Sequence, residues 1–124
     1  VRHVGAAVEI DAPVSVVWDV LTDLNRWPAW GPSIRRVASA ADRADAGVTG
    51  RVQTVVGIWL PFEITWFEPG RAWFWNVAGI PATRHYVSAI EEDRCRVQFT
   101  VAWVVAPYLL VLRVALGRLR RMAE

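Results

Sequence analysis

Residues 8–34 read VEIDAPVSVVWDVLTDLNRWPAWGPSI, and the apolar period changes twice within them. The alternation of VGAAVEI predicts a first strand over about residues 3–10, with Val4, Ala6, Val8 and Ile10 on one side. From Pro13 the spacing becomes helical, and Val14, Val17, Trp18 and Leu21 form an apolar stripe. Pro13 falls in the first turn, where its missing N–H costs nothing, and Asp11 suits the positive end of the helix dipole. NRWPAWGPS then carries two prolines and a glycine, which leaves room for no more than a short second helix around Arg26–Trp30.

Downstream, strands are expected at about 33–40 and 48–56 around the polar loop ADRADAG, followed by three more apolar alternations and a final helix. There are no repeats, low-complexity stretches or linkers. In WFEPGRAWFW (66–75), a type II turn centred on Pro69 and Gly70 sets Phe67 opposite Ala72, Trp66 opposite Trp73, Ile64 opposite Trp75 and Phe62 opposite Val77. The next turn, EEDR at 91–94, sets Ile90 opposite Cys95, Ser88 opposite Val97 and Tyr86 opposite Phe99, with His85 outside. One sheet face is thus expected to collect Phe62, Ile64, Trp66, Trp73, Trp75, Tyr86, Phe99 and Trp103. GIWLP at 57–61 is expected to leave Ile58, Trp59 and Leu60 on a hairpin loop. Such an apolar tip reads first as a cavity lip, then as a dimer contact, then as a membrane-inserting edge.

The C-terminal APYLLVLRVALGRLRRMAE is amphipathic at 100° per residue. Tyr108, Leu109, Val111, Leu112, Ala115, Leu116, Leu119 and Met122 share an arc, opposed by Arg113, Arg118, Arg120 and Arg121, with Leu110 and Val114 as apolar exceptions on the polar side. A helix of about 17 residues, roughly 25 Å long, matches strands of about eight residues and can lie across the sheet.

With 124 residues, 54% of them apolar, the chain is expected to form one domain with one core. All 14 basic residues are Arg and the net charge is +2, but they do not gather into a face interleaved with exposed aromatics, so nucleic acid is not an expected partner. Cys95 is alone, which excludes an internal disulfide and a cysteine metal cage, and His3 and His85 are too isolated to supply a metal site. No cofactor and no metal are expected. The run AWVVAPYLLVL is broken by Pro107 and too short to span a bilayer, no signal-peptide pattern opens the chain, and a cytoplasmic protein is the default expectation.

The stretch 8–34 resembles the N-terminal signature of the START-like, or SRPBCC, superfamily: a strand ending in I-x-A-P, a helix with V-W-x-x-L-x-D, then P-x-W-x-P-x-I. Ile10, Ala12, Pro13, Val17, Trp18, Leu21, Asp23, Pro28, Trp30, Pro32 and Ile34 stand at the matching positions. Glu68-Pro69 and the closing GRLRRMAE resemble the rest of the pattern. The resemblance implies an α+β helix-grip fold, a curved antiparallel sheet wrapped around a long C-terminal helix, with two short helices after the first strand and a hydrophobic cavity between sheet and helix. Members include polyketide cyclases and aromatases, lipid- and sterol-transfer domains, hormone receptors and quinone-binding proteins, so the resemblance implies fold more narrowly than function.

The expected function is binding or transport of a lipid, polyketide or isoprenoid-like molecule. The alternatives are a polyketide cyclase or dehydratase in the same cavity, or a protein-interaction domain with a filled core. Expected ligand contacts are Phe62, Ile64, Trp66, Trp73, Trp75, Tyr86, Phe99, Trp103, Leu109, Leu112, Leu116 and Trp30, while Trp66, Trp73, Trp75 and Trp103 read equally as core and Trp30 reads first as structural. The inward polar set is expected to be Tyr86, Ser88, Thr54 and Arg84, with Tyr86 the nominated anchor or acid. A monomer or homodimer without a transmembrane segment, capable of peripheral membrane contact, completes the expectation.

Overall fold

The computed structural model describes residues 2–102 and 108–124. Strand β1 (His3–Ile10) leads through Pro13, in extended backbone, into helix α1 (Val14–Thr22). A 3-10 turn (Leu24–Arg26) follows, where the Asp23 carboxylate accepts from the Asn25 N–H, and then the single-turn helix α2 (Trp27–Trp30). Strands β2 (Ile34–Ala38), β3 (Thr49–Thr54), β4 (Trp59–Glu68), β5 (Ala72–Val77), β6 (Ile80–Glu91) and β7 (Arg94–Ala102) precede helix α3 (Leu109–Ala123).

The seven strands form one antiparallel sheet in the order β1-β7-β6-β5-β4-β3-β2, so that successive strands from β2 to β7 are neighbours and β1 pairs with β7. Helix α3 lies against β1, β7, α1 and α2. Leu112, Ala115, Leu116 and Leu119 are buried at the spacing of one helix face, and Leu110, Arg113 and Val114 are exposed. Met122, expected on the buried arc, is exposed. This is the α+β helix-grip arrangement that the sequence implied.

The inner face of the sheet is filled from α2. The Trp27 indole N–H donates to the Leu21 carbonyl (3.0 Å). Its ring stacks on Trp73 with centroids 5.1 Å apart and meets Phe62 and Trp75 edge-on at 5.4 and 5.3 Å. Gly50 makes room for this packing: a Cβ there would lie 2.5 Å from the Ala38 carbonyl oxygen and 2.8 Å from the Phe62 ring.

Three hairpins depart from the expected registers, each for a local reason. The β4–β5 loop has three residues, Pro69 to Arg71, with Gly70 at φ +73° and the Arg71 N–H donating to the Glu68 carbonyl. Trp66 therefore faces Phe74, and Phe67 faces Trp73. A bulge at Thr65 then restores the expected pairs Ile64–Trp75 and Phe62–Val77. In the β6–β7 hairpin Glu91 faces Arg94 as expected, but a bulge at Ile90 sets Ala89, not Ile90, opposite Cys95. A one-residue slip turns every later side chain over. Val87 consequently faces Val97 and His85 faces Phe99, while Tyr86 and Ser88 point outward. The β3–β4 loop is tighter than expected and places Trp59 and Leu60 in β4, opposite Gln53 and Val52. Val55, Val56 and Ile58 remain at the tip, with Val56 75% exposed.

Candidate functional site

The cleft between the inner sheet face and α3 has two compartments. The outer one, near the start of α3, is a cavity of about 310 Å³ walled by Ile34, Val52, Leu60, Val77 and Val101. The inner one is a slot of about 30 Å³ bounded by Trp30, Trp73, His85, Phe99 and Leu112. Trp75, Thr83, Ser33 and Tyr108 border both. Ser33 Oγ and Tyr108 Oη are 2.7 Å apart, a hydrogen bond that ties the start of α3 to the segment after α2. The slot has about the volume of one water molecule, so the tryptophans fill the deep half of the cleft and leave the outer half open.

His85 is the polar group at the bottom of this cleft. It is 2% exposed, its ring stacks on Trp73 with centroids 3.8 Å apart, and Phe99 and Trp30 meet it edge-on at 4.8 and 6.0 Å. Burial drives its pKa from 6.5 down to about 3, against the opposing pull of a hydrogen bond between Nδ1 and the Trp73 carbonyl (3.1 Å). The imidazole is therefore neutral at pH 7. Three indole N–H groups around the slot, those of Trp30, Trp73 and Trp75, are buried without a partner among the described residues, as is the Thr54 hydroxyl beside the outer cavity.

Of the residues expected to contact a ligand, Trp30, Trp73, Trp75, Phe99 and Leu112 come together at the slot. Phe62, Ile64 and Leu116 are buried in the core, and Leu109 is half-buried against it. Trp103 lies outside the described residues. Trp66 and Tyr86 are on the opposite face of the sheet, because the three-residue loop and the Ile90 bulge turn them outward. Trp66 is 53% exposed and stacks on Phe74, which also touches Tyr86 edge-on and carries the Arg84 guanidinium 4.7 Å above its ring. Tyr86, Ser88 and Arg84 thus leave the inward polar set, and Thr54 stays in it.

The outer-face aromatics border a groove of about 870 Å³, larger than the cavity of about 310 Å³. Its lining includes the charged Glu68 and Arg71, whereas the cavity of about 310 Å³ is lined mainly by apolar side chains of the sheet, with Ser33, Thr54, Thr83 and Tyr108 and no charged residue. An apolar lining with a few polar groups is what a small hydrophobic molecule binds, so the cavity of about 310 Å³ is the better candidate site.

His85, Thr83, Ser33 and Tyr108 were not among the expected site residues. For His85 and Thr83 a signal existed: Val87 is apolar and shares their parity, and weighting it above Tyr86 turns both inward. Ser33 and Tyr108 meet across a sequence separation that no local pattern reports.

Comparison with known proteins yields a match of residues 2–123 to the family described as polyketide cyclase / dehydrase and lipid transport. Among solved structures, the Zhui aromatase/cyclase from Streptomyces superposes with a TM-score of 0.77 at 16% identity, covering 99% of this chain and 93% of that one. The Aha1 dimer from Colwellia psychrerythraea gives 0.75 at 18% identity, with 100% and 97% covered. A protein from Deinococcus radiodurans gives 0.69 at 22% identity, with 97% and 95% covered. At these identities the likeness is one of fold. No curated protein matches the sequence.

Proposed function

The chain belongs to the polyketide cyclase / dehydrase and lipid transport family, and from that membership we propose that it binds a compact hydrophobic molecule in the cavity between its sheet and α3. The observation that carries this reading is the apolar hollow of about 310 Å³ beside a tryptophan-filled slot. That volume is near the lower end of small-molecule sites. It suits a bicyclic aromatic polyketide or a short isoprenoid better than a two-chain lipid. Affinity would come from apolar burial, worth about 25 cal/mol per Å² before ordering costs.

Loading from a membrane surface accords with the same cavity. The strand order places the β3–β4 tip, the β5–β6 turn and the start of α3 at one end of the sheet, around the cavity mouth. Val55, Val56, Ile58, Ile80 and Leu110 are exposed there, next to Arg35, Arg36 and Arg51, and no carboxylate occurs between Asp45 and Glu63. An apolar rim with basic neighbours suits an anionic lipid interface.

Native mass spectrometry of the purified protein beside a denatured control tests the reading. A releasable apolar compound, or saturable uptake of 2-naphthol and 2-methoxynaphthalene, is the expected result. No bound compound and no uptake of either probe would refute it. A catalytic form of the same reading, cyclisation or dehydration of a polyketide, would rely on His85 to move a proton, and its mark would be turnover of a polyketide analogue lost on replacing His85.

A further inference from the structure

The polar groups of the inner slot define one functional group on whatever enters the cavity. The Trp73 carbonyl can only accept a hydrogen bond, so at 3.1 Å it fixes the His85 proton on Nδ1. The neutral ring then carries its lone pair on Nε2, an acceptor in need of a donor. Among the described residues the His85 ring bonds through Nδ1 alone, and His85 lines the slot.

The same lining holds the hydroxyls of Thr83, Ser33 and Tyr108 and three indole donors. The indole N–H of Trp30, Trp73 and Trp75 can only donate, and all three lack acceptors among the described residues. A hydroxyl group both donates and accepts. A carbonyl or ether oxygen accepts only and leaves Nε2 unmatched, and a methyl group satisfies nothing. The slot of about 30 Å³ has room for a single oxygen-sized group, and it shares Trp75, Thr83 and Tyr108 with the outer cavity.

Resting on the cavity reading above, we propose that the slot is a hydroxyl subsite, in which His85 Nε2 accepts a hydrogen bond from a phenol or enol of the bound ligand while the apolar body of that ligand fills the outer cavity. His85 is then the specificity-determining residue of the site. Burial, which keeps the imidazole neutral at pH 7, preserves this acceptor role.

Isothermal titration with 2-naphthol and 2-methoxynaphthalene, which differ in the donor alone apart from one methyl, tests the proposal on the wild type and on His85→Phe. The wild type should prefer the naphthol by about tenfold or more. His85→Phe should reduce that ratio to about one by weakening naphthol binding, with methoxynaphthalene affinity kept within about threefold. Equal affinities in the wild type would overturn the proposal and leave the slot a site for water only. Failure of both probes to bind would overturn the cavity reading itself, and this inference with it. Should His85→Phe not fold, the wild-type imidazole nitrogens give a second readout by NMR. The unprotonated Nε2 resonance should shift on adding 2-naphthol and stay in place on adding 2-methoxynaphthalene, and a proton found on Nε2 would contradict the assignment.

Discussion

The two faces of the central hairpins carry the same kinds of side chain at similar spacings, yet they differ in what those side chains can do. Inside, Trp27, Trp73, Trp75, Phe99 and His85 lie with ring centroids between 3.8 and 6.2 Å apart, closed off by α2 and α3. Outside, Trp66, Phe74 and Tyr86 lie 5.4 to 6.3 Å apart with water on one side. Ring geometry is therefore a poor guide to role. What separates the clusters is the covering helices: they convert aromatic area into burial energy, depress the His85 pKa and leave indole N–H groups unmatched.

The sharpest test of that contrast is truncation. Trp73→Ala should cost about 3–5 kcal/mol in urea unfolding, as large-to-small core changes do, and Trp66→Ala less than about 1 kcal/mol. Similar costs for the two would break the distinction between the faces. Acid stability comes next. Between its folded pKa of about 3 and its unfolded value of 6.5, His85 takes up a proton in the unfolded chain and not in the folded one. Stability should then be unaffected by this group above pH 6.5 and should fall by about 1.4 kcal/mol per unit as the pH drops towards 3. His85→Phe should flatten that part of the stability–pH curve.

Gly50→Ala should cost about 1–3 kcal/mol, because the new Cβ meets the Ala38 backbone and the Phe62 ring at distances that force a shift. A melting temperature unchanged from wild type would show that the inner face tolerates more slack than its packing indicates. The smallest effect on stability belongs to the rim. Ile58→Ser should change unfolding by less than about 0.5 kcal/mol yet reduce co-sedimentation with anionic vesicles several-fold. Equal pelleting of variant and wild type would remove the membrane contact from the account.

The sequence made the fold legible because its decisive signals are local. Pro13, the stripe Val14–Leu21 and the Pro-rich turn around Trp30 specify strand, helix and turn within one stretch, and the arc Leu112–Leu119 specifies the covering helix. The site was only half legible. Trp73, Trp75 and Phe99 face inward as the alternation predicts, but irregularities of a single residue at Arg71, Thr65 and Ile90 turn Trp66 and Tyr86 outward and His85 inward. Nothing in those residue types announces a bulge, and with a side-chain period of two, one extra residue exchanges the faces. The clearest chemical group of the cleft was thus read as a surface histidine.

The inner face is the one expected to hold the ligand. Its most direct test is an NMR titration of the indole N–H signals with 2-naphthol, each assigned by single Trp→Phe replacement. The signals of Trp30 and Trp75 should shift together and saturably while that of Trp66 stays fixed. A saturable shift of Trp66 with Trp30 and Trp75 unmoved would place binding in the outer groove instead.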